Sequence, residues 1–220
     1  MVKSESSKGG RVASKGALGI LLSKLEGFES PKVQDEQYST DPEIGAEVLW
    51  QIAMRENLSK VSADMGCGTG LLGIGLLALG AKKVHFVEKD EAALETTQRN
   101  LEKIKNELDL AGEGVLHSMD ISAFKEPVEL IVQNPPFGVK VRGADRPFLE
   151  KAMELGQVIY SFHKSESKVF IGKLAAQKGF GVTHTWDFEW PLKATYSFHS
   201  KKREYIKVSC FRLERSERAQ

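Results

Sequence analysis

The chain has 220 residues, of which 41% are hydrophobic, enough for one domain that buries roughly 70% of its unfolded surface. A formal net charge of +1 announces no global field for nucleic acid, although a local basic patch is sufficient to bind RNA. Two distant cysteines, Cys67 and Cys210, suggest neither a disulfide framework nor a zinc cluster; with no apolar run of about 18 residues and no leader pattern at the start, no membrane role and a reducing cytoplasmic setting are expected.

Residues 1–16 are rich in Ser, Gly and basic side chains and carry almost no large apolar group, so a disordered basic tail is expected before one domain over 17–220. Leu18, Leu21, Leu22 and Leu25 recur at helical spacing, and Gly27 and Pro31 end that helix. A polar segment from Asp35 to Thr40 follows. It is either a loop folded over a ligand or a solvated linker. Asp41 and Pro42 then form an N-cap and first-turn pair for a helix to about Asn57.

Val61 to Ala63 is a short apolar strand, and Asp64-Met65-Gly66-Cys67-Gly68-Thr69-Gly70 follows it directly. An apolar helix from Leu71 to Leu79 comes next. Strand, glycine turn and helix make a nucleotide-cofactor loop, because glycine lets backbone approach a ligand without a Cβ clash. Glu88, after the strand Val84–Val87, lies about 20 residues beyond the glycines, where a carboxylate holds a ribose diol. The spacing departs from the dinucleotide G-x-G-x-x-G pattern. Cys67 is a small residue in a tight turn.

Glu91 to Leu108 is an amphipathic helix with Leu94, Thr97, Leu101, Ile104 and Leu108 on one face. Val115 to His117 is a third strand, followed by Asp120, which stands either beside a cofactor's adenine or at the surface. Leu130-Ile131-Val132 is a buried strand whose carboxyl end carries Asn134-Pro135-Pro136-Phe137. Ligands of open α/β sheets bind at that end. Two prolines make a rigid bend that presents one carboxamide and carbonyls free of competing N–H donors, and Phe137 offers a flat face to a planar ring. Such a group accepts both hydrogens of an exocyclic amine.

Gly138 to Arg146 is a polar loop with Lys140, Arg142 and Arg146, expected to move over the substrate entrance. A helix from Phe148 to Leu155, a strand from Val158 to Phe162 and a helix from about Ser165 to Lys178 follow. Gly181–Trp190 and Glu204–Leu213 are long strands, and the second alternates Tyr205, Lys207, Ser209 and Phe211 with Ile206, Val208, Cys210 and Arg212. Strand–helix alternation that ends in two consecutive strands implies an α/β fold: a mostly parallel sheet with a terminal antiparallel hairpin. His163, Lys164, His199, Lys201, Lys202 and Arg203 are candidate RNA contacts, with a structural His163 and a solvated turn at 199–203 as the alternatives. His85, His117 and His184 read as structural.

With these residues placed, the chain resembles the methyltransferase-like rRNA adenine-N6 family from about Leu25 to Leu213. The resemblance rests on Gly27-Phe28 with Pro31-Lys32, Glu36-Gln37-Tyr38 with Thr40, the glycine loop, Asn134-Pro135-Pro136-Phe137-Gly138, Tyr160 to Ser165, and Tyr196-Ser197-Phe198-His199 with Lys201-Lys202. It implies a seven-stranded Rossmann-like class I sheet with helices on both faces, and S-adenosylmethionine as donor. Gln37, Thr40, Gly66, Thr69, Leu71, Glu88, Asp120 and Ile121 would surround that donor, together with Asp64, Cys67, Gly68 and Gly70 of the loop. Asn134 to Phe137 would grip the base. Glu88 replaces the family's commoner Asp, and Thr69 its commoner small residue; the short, plain form looks archaeal. Eukaryotic relatives pair with a small zinc-binding activator, which makes such a partner an expectation here. Related double-proline enzymes methylate protein glutamine or guanine N2, and a non-catalytic ribosome-assembly factor is a reading of another class.

Overall fold

In a computed structural model, residues 10–32, 36–37, 39–138, 141, 143–192 and 204–216 are described. The candidate contacts Lys140, Arg142, His199, Lys201, Lys202 and Arg203 lie outside them. Among the described residues, strands β1 (Val61–Met65), β2 (Lys83–Glu88), β3 (Glu113–Ser118), β4 (Leu130–Gln133), β5 (Val158–Lys164), β6 (Phe180–Leu192) and β7 (Glu204–Arg215) form one sheet. Their order is β3-β2-β1-β4-β5-β7-β6, parallel through β5, with β7 antiparallel to both its neighbours. The expected α/β class and terminal antiparallel hairpin are both present.

Among the described residues, six helices cover the two faces: α1 (Lys15–Ser23), α2 (Pro42–Arg55), α3 (Leu71–Ala78), α4 (Glu91–Glu107), α5 (Arg146–Leu155) and α6 (Lys168–Gln177). Leucines and isoleucines of α1 to α4 form one core with Val84, Phe86 and Val132 of the sheet. Leu149 and Met153 of α5 and Ile171 and Leu174 of α6 form the other with Met65, Ile131 and Ile159. Local chemistry sets the helix starts. The Asp41 carboxylate accepts from the Glu43 and Ile44 amides with Pro42 at the first position, and Asp90 accepts from Ala92.

One expectation is corrected. Residues 10–16 are not all tail: α1 begins at Lys15 with Ser14 capping Ala17, and the Val12 amide donates to the Ala78 carbonyl at 2.9 Å. The apolar Val12 side chain packs on the core, which ties down a polar sequence. Strand β7 lies inside the sheet, so Val208 to Leu213 are buried throughout, and its polar members there find partners: Ser209 with Asp187 at 2.6 Å and Arg212 with Glu56 at 2.8 Å. Buried polar groups persist only when so paired.

Strand order reverses between β1 and β4, which creates the crevice where ligands of open α/β sheets bind. The glycine loop leaves β1 there, and the double-proline bend leaves β4. No described helix is long and apolar enough to cross a membrane, and no cluster of described side chains could hold a metal ion.

Candidate active site

The loop after β1 is held from three sides. The Gly66 and Cys67 amides donate to the Val87 carbonyl of β2 at 2.8 and 3.0 Å. Glu88, ending β2, accepts from the Gly68 amide at 2.9 Å through one oxygen and from the Asp90 amide at 2.9 Å through the other. Asn100 of α4 donates to the Thr69 and Glu26 carbonyls, both at 3.0 Å, and accepts from the Glu26 amide at 2.8 Å. Thr97 donates to the Gly68 carbonyl at 2.8 Å. Gly66 and Gly68 have φ of 68° and 55°, the left-handed region that favours glycine, and an added Cβ would meet Phe148 at 2.6 Å and Phe28 at 2.8 Å. Two aromatic rings therefore sit directly over the loop.

Beneath it Asp64 is buried. One carboxylate oxygen accepts from the Gly73 amide at 2.8 Å, and the other has no hydrogen-bond partner among the described residues. Burial pushes this carboxyl up to about 7, against the Gly73 bond and with a further push from the Glu88 charge. Burial likewise holds the Cys67 thiol well above its usual value, so it stays neutral. That fits the small-residue reading of Cys67.

A cavity of about 310 Å³ opens between loop and bend. Of the sequence candidates, Gln37, Thr40, Asp64, Gly66, Cys67, Gly68, Thr69, Leu71, Glu88, Asp120, Ile121, Asn134 and Pro136 line it. Gly70 sits just behind as the N-cap of α3. Gln37 faces the cavity, but its side chain is used locally: its amide donates to Asp90 at 2.7 Å, and its oxygen accepts from the Lys32 amide at 2.8 Å. It holds the described part of the polar segment against α4, and Glu36, Gln37, Ser39 and Thr40 line the cavity as a strap and not as a solvated linker. Asp120 caps the 3₁₀ turn Ile121–Ala123 through Ser122, whose bonds hold its carboxyl below the usual range.

At the bend, the Asn134 amide donates to the Thr40 hydroxyl at 3.0 Å. Its side-chain oxygen is buried with no partner among the described residues. Thr40 thus joins the strap to the bend. Phe137 differs from expectation: it is buried, and its ring meets Trp190 edge-to-face with centroids 5.6 Å apart, so in this state it braces β6. His163 differs too. It is 1% exposed, with ring nitrogens on Asp145 at 2.8 Å and Ser161 at 2.7 Å, so as it stands it cannot reach a phosphate. Lys164, next to it, is partly exposed beside Glu166.

Sequence reasoning missed Phe148 and Asn100, and it gave Phe28 and Thr97 no place at the site although Phe28 stands in a block of the family resemblance and Thr97 on the apolar face of its helix. Asn100 did leave a signal, as a polar side chain on the apolar stripe of α4 between Thr97 and Leu101. Phe148 left none, because its contact with Gly66 is long-range.

Loop, strap and amide bend across one switch point define a methyltransferase of the small-domain class, and the chain matches the methyltransferase small domain family over residues 38–155. Within that class it belongs to the rRNA N(6)-adenosine-methyltransferase family. It is 33% identical to METTL5 of Danio rerio, over 87% of this chain and 94% of that one, and 32% identical to Mettl5 of Drosophila melanogaster, over 88% and 92%. A candidate RNA methyltransferase of Pyrococcus horikoshii, PH1948, superposes with a TM-score of 0.83 at 40% identity, covering 94% of this chain and all of the other.

Glu88→Ala is expected to raise the dissociation constant of S-adenosylmethionine by about ten- to a hundredfold, since bonds to a charged acceptor contribute about 1.5–3 kcal/mol. Calorimetric titration checks this, and an unchanged constant would remove Glu88 from the donor site.

Proposed function

We propose that this chain transfers a methyl group from S-adenosylmethionine to the N6 amine of an adenine in structured RNA, with small-subunit ribosomal RNA as substrate. One observation carries the reading. The side-chain oxygen of Asn134 is buried without a partner among the described residues, and Asn134 lines the cavity that the glycine loop also lines. A buried acceptor without a partner costs about 1–3 kcal/mol, and an arriving N–H removes that cost.

The residues fit the donor. Phe148 and Phe28 pack on Gly66 and Gly68 where a Cβ would stand and wall the loop beside the cavity, Glu88 presents a carboxylate at the end of β2, and Asp64 has an oxygen with no partner among the described residues. When bound, S-adenosylmethionine supplies a methyl group already activated on a sulfonium centre. The chain's own residues then have mainly to orient the acceptor, and alignment alone is worth about 7–11 kcal/mol. The Asn134 oxygen and the Pro135 carbonyl accept the two N–H groups of the amine. That favours a pyramidal nitrogen with an available lone pair and stabilises positive charge as it develops there. Thr40 keeps the Asn134 amide turned so that its oxygen remains free. Phe137 meets the base only after its contact with Trp190 shifts. The base must first leave its stack, which costs least in a bulge or a single strand.

Lys140, Arg142, Lys164, His199, Lys201, Lys202 and Arg203 are proposed phosphate contacts, which would make binding steeply salt-dependent. The setting that fits such a substrate is the cytoplasm, with Cys67 and Cys210 both buried free thiols. Strand β3 is an open sheet edge, half-exposed along its length, and such an edge offers unpaired backbone groups to a partner strand. A small zinc-binding activator docked there is the proposed partner.

The experiment is methylation of deproteinised small-subunit RNA with labelled donor, with and without an activator, followed by nucleoside digestion and mass analysis. N6-methyladenosine is the expected product. Label in guanine N2 or in protein glutamine would reassign the acceptor, and absence of donor binding would leave an RNA-binding assembly factor.

A further inference from the structure

Three buried side chains and the partly buried Asp145 form one hydrogen-bonded chain behind the double-proline bend. The Gln133 amide donates to Ser161 at 2.9 Å, Ser161 contacts the His163 Nε2 at 2.7 Å, and the His163 Nδ1 contacts Asp145 at 2.8 Å. Ser161 accepts from Gln133 and shares a second hydrogen bond with His163, whose other ring nitrogen faces the Asp145 carboxylate. Gln133 and Ser161 are cross-strand partners of β4 and β5, and His163 follows two residues on along the same face. Phe211 packs against the imidazole with ring centroids 6.1 Å apart.

The distances match a Ser-His-Asp nucleophile, but Ser161 and Gln133 are fully buried, so no substrate atom reaches that hydroxyl. The ends of the chain are more informative. Gln133 directly precedes Asn134, and Asp145 directly precedes α5. Asp145 stands at the N-cap of α5, where an aspartate ordinarily bonds its own helix, yet it makes no capping bond and gives its carboxylate to His163. One hydrogen-bond chain therefore pins both feet of the segment that begins with the catalytic bend and ends at α5.

We propose that Asp145, His163, Ser161 and Gln133 are a positioning clamp that fixes the Asn134 carboxamide in register with the donor cavity, a role that rests on the methyl-transfer reading of that cavity. Both feet matter because the bend carries its own rigidity but not its own orientation. A misplacement of about 1 Å at a reacting centre costs about a hundredfold in rate.

The test uses the full chain with Asp145→Asn and Ser161→Ala, which keep side-chain volume close to the original, beside His163→Gln. The expected result is a kcat for RNA methylation lower by about ten- to a hundredfold, with the donor dissociation constant within twofold of the original. Amide hydrogen exchange at Asn134 and Phe137 should quicken at least about tenfold while the unfolding midpoint is retained, a shift that a merely space-filling network would not produce. Unchanged exchange at those amides, or a kcat loss that only tracks loss of folded protein, overturns the clamp. Faster exchange in a protein whose unsubstituted form methylates no RNA would keep the clamp and overturn the proposed reaction.

Discussion

Replacing Asn134 by Ala is expected to lower methyl transfer by about 10²–10³-fold while leaving S-adenosylmethionine affinity unchanged. The carboxamide is partly buried, gives its N–H to Thr40 at 3.0 Å, and has an oxygen with no partner among the described residues. Alanine removes that acceptor and leaves both prolines in place, so the bend keeps its shape and the donor cavity its walls. The loss therefore belongs in kcat, since the bonds to the amine strengthen as its nitrogen becomes positive. Single-turnover methylation of small-subunit RNA, with donor binding by calorimetry alongside, separates the two effects. Turnover like that of the unsubstituted chain would take the carboxamide out of the reaction.

Glu88→Ala makes the complementary case. Its carboxylate touches the Gly68 and Asp90 amides and no part of the bend, so the loss falls on donor affinity. Opposite signatures from two sides of one cavity would divide the site into a donor half and an acceptor half.

Much of this site is legible from residue order because both halves are short, local motifs set by strand ends. The glycine loop and the double-proline bend need only the sequence to say that each follows an apolar strand, and α/β topology brings those ends together. What escapes is long-range. Phe28 and Phe148 come from distant segments to cover Gly66 and Gly68. The aromatic promise of Phe137 is redirected by Trp190, which lies far along the chain on β6. His163 illustrates the same limit: beside Lys164 its side chain suggests an RNA contact, and only the docking of α5 reveals Asp145 as its partner. In β7, the strand's place between β5 and β6 buries both faces from Val208 to Leu213, and pairing of Arg212 with Glu56 reconciles its charge with that burial.

Asp64→Asn should make the donor-free protein more stable than the original at pH 8, by an amount that shrinks as pH falls toward 4. Burial holds the Asp64 carboxyl near 7 in the folded chain, against an ordinary value of 3.8. Between those two values the unfolded chain releases its proton first, so stability falls as pH rises, and above about 7 the full cost of the buried charge is present. At 1.36 kcal/mol per pKa unit that cost is on the order of 4 kcal/mol, a large share of a typical 5–15 kcal/mol total. Asparagine keeps an acceptor for the Gly73 amide without the charge, although its own N–H groups offset part of the gain. Urea unfolding at pH 5 and pH 8 measures the difference, and an identical gap at both would show that Asp64 carries no such strain. The same variant should bind the donor more weakly. A loss of affinity together with a gain in stability would show that the fold gives up stability to keep this carboxylate at the donor site.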